Sequence, residues 1–73
     1  MDVKRIDAIG LRCPQPVLKL AMDIVGLPPG ALVEIVGDCP TFEADIRSWC
    51  DRRSKTILTV RPEGTTTVIQ IKL

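Results

Sequence analysis

The sequence has no histidine, and its aromatic content is one tryptophan and one phenylalanine among 73 residues. Without an imidazole, Ser-His-Asp and Cys-His catalysis, most zinc enzymes and a histidine pH switch are excluded. Ten basic side chains against nine acidic ones leave a net charge of +1. This balance lacks the positive excess that proteins use to bind nucleic acids or anionic membranes, so we expect no direct nucleic-acid binding.

Cysteine is scarce as well, with three residues at positions 13, 39 and 50 and no C-x-x-C pair. An odd, widely spaced set favours neither a disulfide framework nor a metal site, and we expect no metal. Charges run through the first seven residues, so we expect no signal peptide, and no apolar run approaches the roughly 18 residues that span a bilayer. We therefore predict a cytoplasmic protein without membrane contact, in whose reducing compartment a conspicuous cysteine is chemical more often than structural.

Glycines and prolines divide the chain into short segments that fit one domain over residues 1–73. Apolar residues recur at helical spacing in two segments, and β-branched residues dominate the others. The predicted order is β-α-β-α-β-β, with strands at 3–8, 31–36, 56–61 and 66–73 and helices at 14–25 and 40–53. We predict a two-layer α/β (α+β) sandwich: a mixed four-stranded sheet with both helices on one face.

A right-handed crossover makes the first two strands parallel, as neighbours or near-neighbours. The turns around Cys13 and Cys39 then lie at the same end of the sheet, where α/β proteins usually place their chemistry. Because Pro14 suits the first position of a helix, Cys13 is predicted as the N-cap, with Pro16 still in the first turn. The helix dipole, helped by the neighbouring Arg12, is expected to lower the pKa of Cys13 and make its thiolate nucleophilic.

A lone activated thiol without a base suits few reactions. Accepting sulfane sulfur as a persulfide needs only a thiolate, so this chemistry fits Cys13. The competing interpretation is that Cys13 only caps a helix or packs as a small apolar residue. Cys39 before Pro40 is read in the same two ways, as a thiol within reach of Cys13 or as a cap or half-buried turn residue, and we favour the second. Asp38 is expected to cap the second helix, and Cys50 to lie in the core.

The segment from Gly10 to Val17, with its Cys-Pro-Gln-Pro run, resembles the Cys-Pro-x-Pro signature of the TusA-like (SirA-like) sulfur-carrier family. A second similarity begins at Gly37-Asp38-Cys39-Pro40 and continues into the following helix. The resemblance implies a fold like the C-terminal domain of translation initiation factor three. It also implies a sulfurtransferase that holds sulfur as a persulfide on Cys13, with supporting motif residues Arg12, Pro14, Gln15, Pro16, Asp38 and Cys39.

The resemblance further implies a sulfur-donor protein, such as a cysteine desulfurase or a rhodanese-like protein, and an acceptor protein. We expect a monomer with no cofactor other than the covalent sulfur. The member that serves tRNA thiolation has an acidic residue in place of Cys39, so the pathway stays open between tRNA thiolation and sulfur-oxidation trafficking. Two other functions remain as alternatives: a thiol redox regulator or adaptor that uses Cys13 with Cys39, and a non-catalytic RNA- or protein-binding module.

Overall fold

The computed structural model describes residues 3–73 and confirms the predicted order of elements. Met1 and Asp2 of the predicted 1–73 domain lie outside the described residues. The elements are β1 (Val3–Ala8), α1 (Gln15–Asp23), β2 (Leu32–Gly37), α2 (Phe42–Arg52), β3 (Thr56–Glu63) and β4 (Thr66–Lys72). The sheet order is β1-β2-β4-β3, with β1 parallel to β2 and with β4 antiparallel to both of its neighbours. The mixed four-stranded sheet is therefore as predicted.

The core lies between one face of the sheet and the two helices. Ile6, Ile35 and Ile69 stand in register across three strands, and all three are buried. The helices cover them with buried apolar residues, which are Leu20 of α1 and Phe42, Ile46, Trp49 and Cys50 of α2. Each such side chain contributes about 1.5–3 kcal/mol relative to exposure. The alternating apolar residues of the strands and the helically spaced apolar residues of the helices thus pack together in a single core.

Both helices begin later than the sequence predicts. The N-cap of α1 is Pro14 and that of α2 is Thr41, so neither Cys13 nor Cys39 caps a helix. The prediction that Cys13 is the N-cap of the first helix is therefore wrong. A backbone turn precedes each helix: the Gln15 N–H donates to the Arg12 carbonyl at 2.7 Å, and the Phe42 N–H donates to the Cys39 carbonyl at 3.0 Å. Each of these cysteines therefore belongs to a turn that closes before its helix starts.

The sheet face away from the helices is largely polar. Glu34 lies at its centre, with its carboxylate 3.4 Å from Arg5 Nε and 3.0 Å from an Arg61 nitrogen. Val68, which the alternation predicts as an exposed residue of this face, is only 6% exposed. It lines a groove of about 300 Å³ together with Arg5 and Glu34, so long charged side chains flank it. Among residues 3–73, no helix is both long and apolar enough to span a bilayer.

Candidate two-thiol site

The carboxyl ends of β1 and β2 place two cysteine-bearing turns side by side. Ala8 and Gly37, the last residues of these strands, are register partners. One turn is tied to the other because the Gly10 N–H donates to Asp38 Oδ1 at 2.9 Å. Asp38 was expected to cap α2, but its carboxylate joins the two turns instead. This hydrogen bond fixes the second turn next to the turn that carries Cys13.

The first turn presents Cys13 to solvent. Cys13 is exposed and precedes a cis peptide bond to Pro14. The turn is closed by two bonds between Arg12 and Gln15: the Arg12 N–H donates to Gln15 Oε1 at 3.3 Å, and the Gln15 N–H donates back to the Arg12 carbonyl. Gln15 therefore has no free backbone N–H to offer a ligand. Pro16 is buried and anchors the start of α1 against the core.

The second turn supplies a polar relay beside Cys39. Cys39 is half-buried, and its Sγ lies 3.5 Å from Thr41 Oγ1. The Thr41 hydroxyl in turn donates to Asp45 Oδ2, one helical turn further along, at 3.0 Å. We call Cys13, Cys39, Thr41 and Asp45 the two-thiol site. The relay gives this end of the sheet a carboxylate and a hydroxyl within reach of sulfur.

The electrostatics at Cys13 are opposite to the prediction. A hydrogen bond from the thiol to the Asp45 carboxylate raises the pKa of Cys13, the negative charges of Asp45 and Cys39 act in the same direction, and a hydrogen bond with Thr41 opposes them. The expected lowering fails because Cys13 lies two residues before α1 and faces α2. The exposed thiol is therefore held protonated next to a carboxylate base.

Cys39 is the more acidic partner. The Thr41 hydroxyl, the Thr41 backbone N–H and the Cys13 backbone N–H all hydrogen-bond to its sulfur and lower the pKa of Cys39. Cys39 is thus a half-buried turn residue, as favoured, yet it also lies directly beside Cys13. The third cysteine is apart: Cys50 is buried in α2, and burial raises the pKa of its thiol.

Comparison with known proteins identifies the family. The sequence profile described as "Sulfurtransferase TusA" matches residues 4–73. The chain belongs to the TusA family. A curated relative, the sulfur carrier protein TusA of Pseudomonas fluorescens (strain SBW25), is 42% identical over 45 residues, which make up 62% of this chain and 54% of the relative. The matched segment therefore spans about half the length of that relative.

A solved structure supports the fold of this TusA-family chain. The crystal structure of a SirA-like protein from Desulfitobacterium hafniense superposes with a TM-score of 0.81, covering 97% of this chain and 96% of the other at 18% identity. The same β-α-β-α-β-β sandwich is therefore present in both proteins. The expected resemblance to the TusA-like and SirA-like family is confirmed.

Sequence reasoning missed two members of the site, Thr41 and Asp45. Their spacing of four residues at the start of a helix, just after a cysteine, was the available signal, because i and i+4 side chains lie on the same helix face. What the sequence could not show is that this face turns toward Cys13. Within residues 3–73, no cluster of three or more Cys, Asp or Glu side chains is arranged to hold a metal ion.

Proposed function

We propose that this TusA-family chain is a sulfur carrier that accepts sulfane sulfur as a persulfide on Cys13 and passes it to an acceptor protein. The supporting observation is the exposed Cys13 thiol on a turn that two Arg12–Gln15 hydrogen bonds close, with the Asp45 carboxylate near enough to raise the pKa of Cys13. An exposed sulfur can meet the sulfur of a second protein without any opening of the fold. Membership of the family, whose profile is named for sulfurtransferase activity, agrees with this chemistry.

Asp45 can act as the base for Cys13 in this chain, which has no histidine. To attack the outer sulfur of a donor persulfide, the Cys13 thiol must lose its proton. The Asp45 carboxylate is close enough to that thiol to raise the pKa of Cys13. It can therefore take the proton as the new sulfur–sulfur bond forms, and the donor thiolate leaves. The Thr41 hydroxyl, which donates to Asp45 Oδ2 at 3.0 Å, holds the carboxylate in place.

The partners, compartment and cofactor requirement extend the proposal. We infer a cytoplasmic monomer that needs no cofactor beyond the covalent sulfur, with a cysteine desulfurase or rhodanese-like protein as donor. The acceptor belongs to tRNA thiolation or to sulfur-oxidation trafficking. The near-neutral charge supports protein partners over direct contact with RNA, because phosphate binding needs a basic surface.

An apolar stripe next to the thiol supports docking of the donor protein. Leu18 and Met22 of α1 are 56% and 73% exposed, and Val25, just beyond the C-cap of that helix, is 80% exposed. Exposed apolar groups that align on one face commonly mark protein contacts. Met22→Lys is expected to slow sulfur transfer from a purified cysteine desulfurase while leaving loading by inorganic polysulfide unchanged. Leu58→Lys, at an exposed apolar position of the far edge strand, is the matched control.

The experiment for the carrier function is loading of the reduced protein with inorganic polysulfide, followed by intact-mass measurement. One added sulfur, about 32 Da, should appear, map to Cys13 and disappear with dithiothreitol. Cys13→Ser should gain nothing, whereas Cys50→Ala should load normally because Cys50 is buried. An equal gain in Cys13→Ser, or none in any variant that retains Cys13, would refute the proposal.

A further inference from the structure

The two turns bring a second sulfur to the proposed carrier thiol. Ala8 and Gly37 are paired, the Gly10 N–H donates to Asp38 Oδ1, and the Cys13 backbone N–H is close enough to the Cys39 sulfur to lower the pKa of Cys39. That nitrogen is bonded to the Cα of Cys13, so the Cys39 sulfur lies beside the Cys13 backbone. A disulfide requires Cα atoms within about 7 Å, and the paired strand ends with the Gly10–Asp38 bond hold the two cysteine turns next to each other.

The surroundings of the two sulfurs differ in a way that assigns them different tasks. Cys39 is half-buried and receives hydrogen bonds from Thr41 and from the backbone, which favour its thiolate. Cys13 is exposed and faces the Asp45 carboxylate, whose negative charge disfavours an anion there. Half-buried Cys39 is the less accessible to a partner, but it is poised as an internal nucleophile toward its neighbour.

We propose that Cys39 is a resolving thiol that discharges the Cys13 persulfide when no acceptor protein removes the sulfur. The Cys39 thiolate attacks Cys13 Sγ, a Cys13–Cys39 disulfide forms, and the outer sulfur leaves as hydrosulfide. This inference rests on the proposed carrier function. Sulfur that no acceptor takes is then released as sulfide. The carrier is left as the Cys13–Cys39 disulfide, which cannot be loaded again until it is reduced.

The step balances without an external oxidant. The bond between Cys13 Sγ and the outer sulfur breaks, and its electron pair leaves with the outer sulfur, which keeps its hydrogen and departs as HS⁻. The two cysteine sulfurs lose two electrons in total, and the sulfane sulfur gains them.

The test follows the fate of preloaded sulfur. Wild type, Cys39→Ser and Cys50→Ala are loaded with inorganic polysulfide under anaerobic conditions, freed of excess donor by desalting, and followed by intact mass and by a bimane assay for sulfide. Wild type and Cys50→Ala should lose the added sulfur, release one equivalent of sulfide and end about 2 Da below the reduced mass. Cys39→Ser should keep its added sulfur at least tenfold longer. Wild type without donor should stay at its reduced mass.

Failure of this inference is distinct from failure of the carrier function. If wild type and Cys39→Ser keep the added sulfur equally long, or if the sulfur moves to Cys39 without sulfide release, the resolving role is overturned while Cys13 loading stands. A Cys39→Ser variant that no longer loads would equally overturn it, because Cys39 would then act in uptake. If no variant loads on Cys13, the carrier function itself fails.

Discussion

Gly37, at the end of β2, is the position where the smallest substitution should do the greatest damage. A Cβ added there would lie 2.6 Å from both Cδ1 and Cε1 of Phe42 and 2.9 Å from its Cγ. Carbon atoms in contact normally stay about 3.5–4.0 Å apart, so Gly37→Ala creates an overlap of about 1 Å with three ring atoms. Phe42 is 1% exposed and begins α2, so the ring can yield only if the helix start moves.

The magnitude follows from the geometry. Overpacking of a closed core costs about 1–3 kcal/mol, and an overlap with several atoms of an immobile ring belongs to the upper part of this range, about 2–3 kcal/mol. For 73 residues the total free energy of unfolding is on the order of 4–11 kcal/mol. At about 4–8 °C per kcal/mol for a domain of this size, the melting temperature should fall by about 8–24 °C.

Urea and thermal unfolding, monitored by circular dichroism, provide the assay. Phe42→Leu removes Cε1 and leaves a side chain that can rotate away, so it should recover at least about 1 kcal/mol of the Gly37→Ala loss in a double-mutant cycle. Gly64→Ala is the control: Gly64 has φ +64° and open space around its Cα, so it should lose about 1–2 kcal/mol through backbone conformation alone, with no recovery by Phe42→Leu. A Gly37→Ala loss below about 0.5 kcal/mol, or strict additivity with Phe42→Leu, would refute the packing argument.

Three further predictions concern the two-thiol site. Asp45→Asn should lower the pKa of Cys13, because it removes the carboxylate and its negative charge. Iodoacetamide labelling of Cys13 should then begin at a lower pH. An unchanged pH profile would contradict the role of Asp45 in raising the pKa of Cys13. Thr41→Val should raise the pKa of Cys39 and shift its labelling to higher pH, with Cys50→Ala as an inert background. Asp38→Ala should cost about 1 kcal/mol in urea unfolding, since it deletes an exposed bond between the turns, and no loss would contradict that link.

The sequence was sufficient for the architecture because hydrophobic periodicity and the core agree. The stripe of Phe42, Ile46, Trp49 and Cys50 is buried as its spacing predicts, and the first two strands pair in parallel as expected. The errors lie at the helix starts. A proline after a cysteine is compatible both with the first helical position and with the turn before it, and only the backbone bonds of the folded chain distinguish the two.

The site was predictable only in part, for a physical reason. Cys13 could be singled out from its own neighbours in the sequence, but its pKa is set by Asp45, which is distant in sequence and is brought near by the packing of α2. The expected lowering considered only the local helix. Similarly, the predicted parallel pairing of β1 and β2 placed Cys39 at the same end of the sheet as Cys13, but how close the two residues come depends on the contact between the turns in the folded chain.

Thr41 connects the two thiols because a hydroxyl has only one hydrogen. In the resting arrangement it donates to Asp45 at 3.0 Å, while the Cys39 sulfur lies 3.5 Å from the same oxygen. Ionisation of Cys39 favours turning that hydrogen toward the sulfur, which leaves an Asp45 oxygen free to accept the Cys13 proton. Asp45 acts to raise the pKa of both thiols and Thr41 acts to lower both. Asp45→Asn should therefore lower the pKa of both cysteines, and Thr41→Val should raise the pKa of both. Two thiols that do not share these neighbours would not shift together.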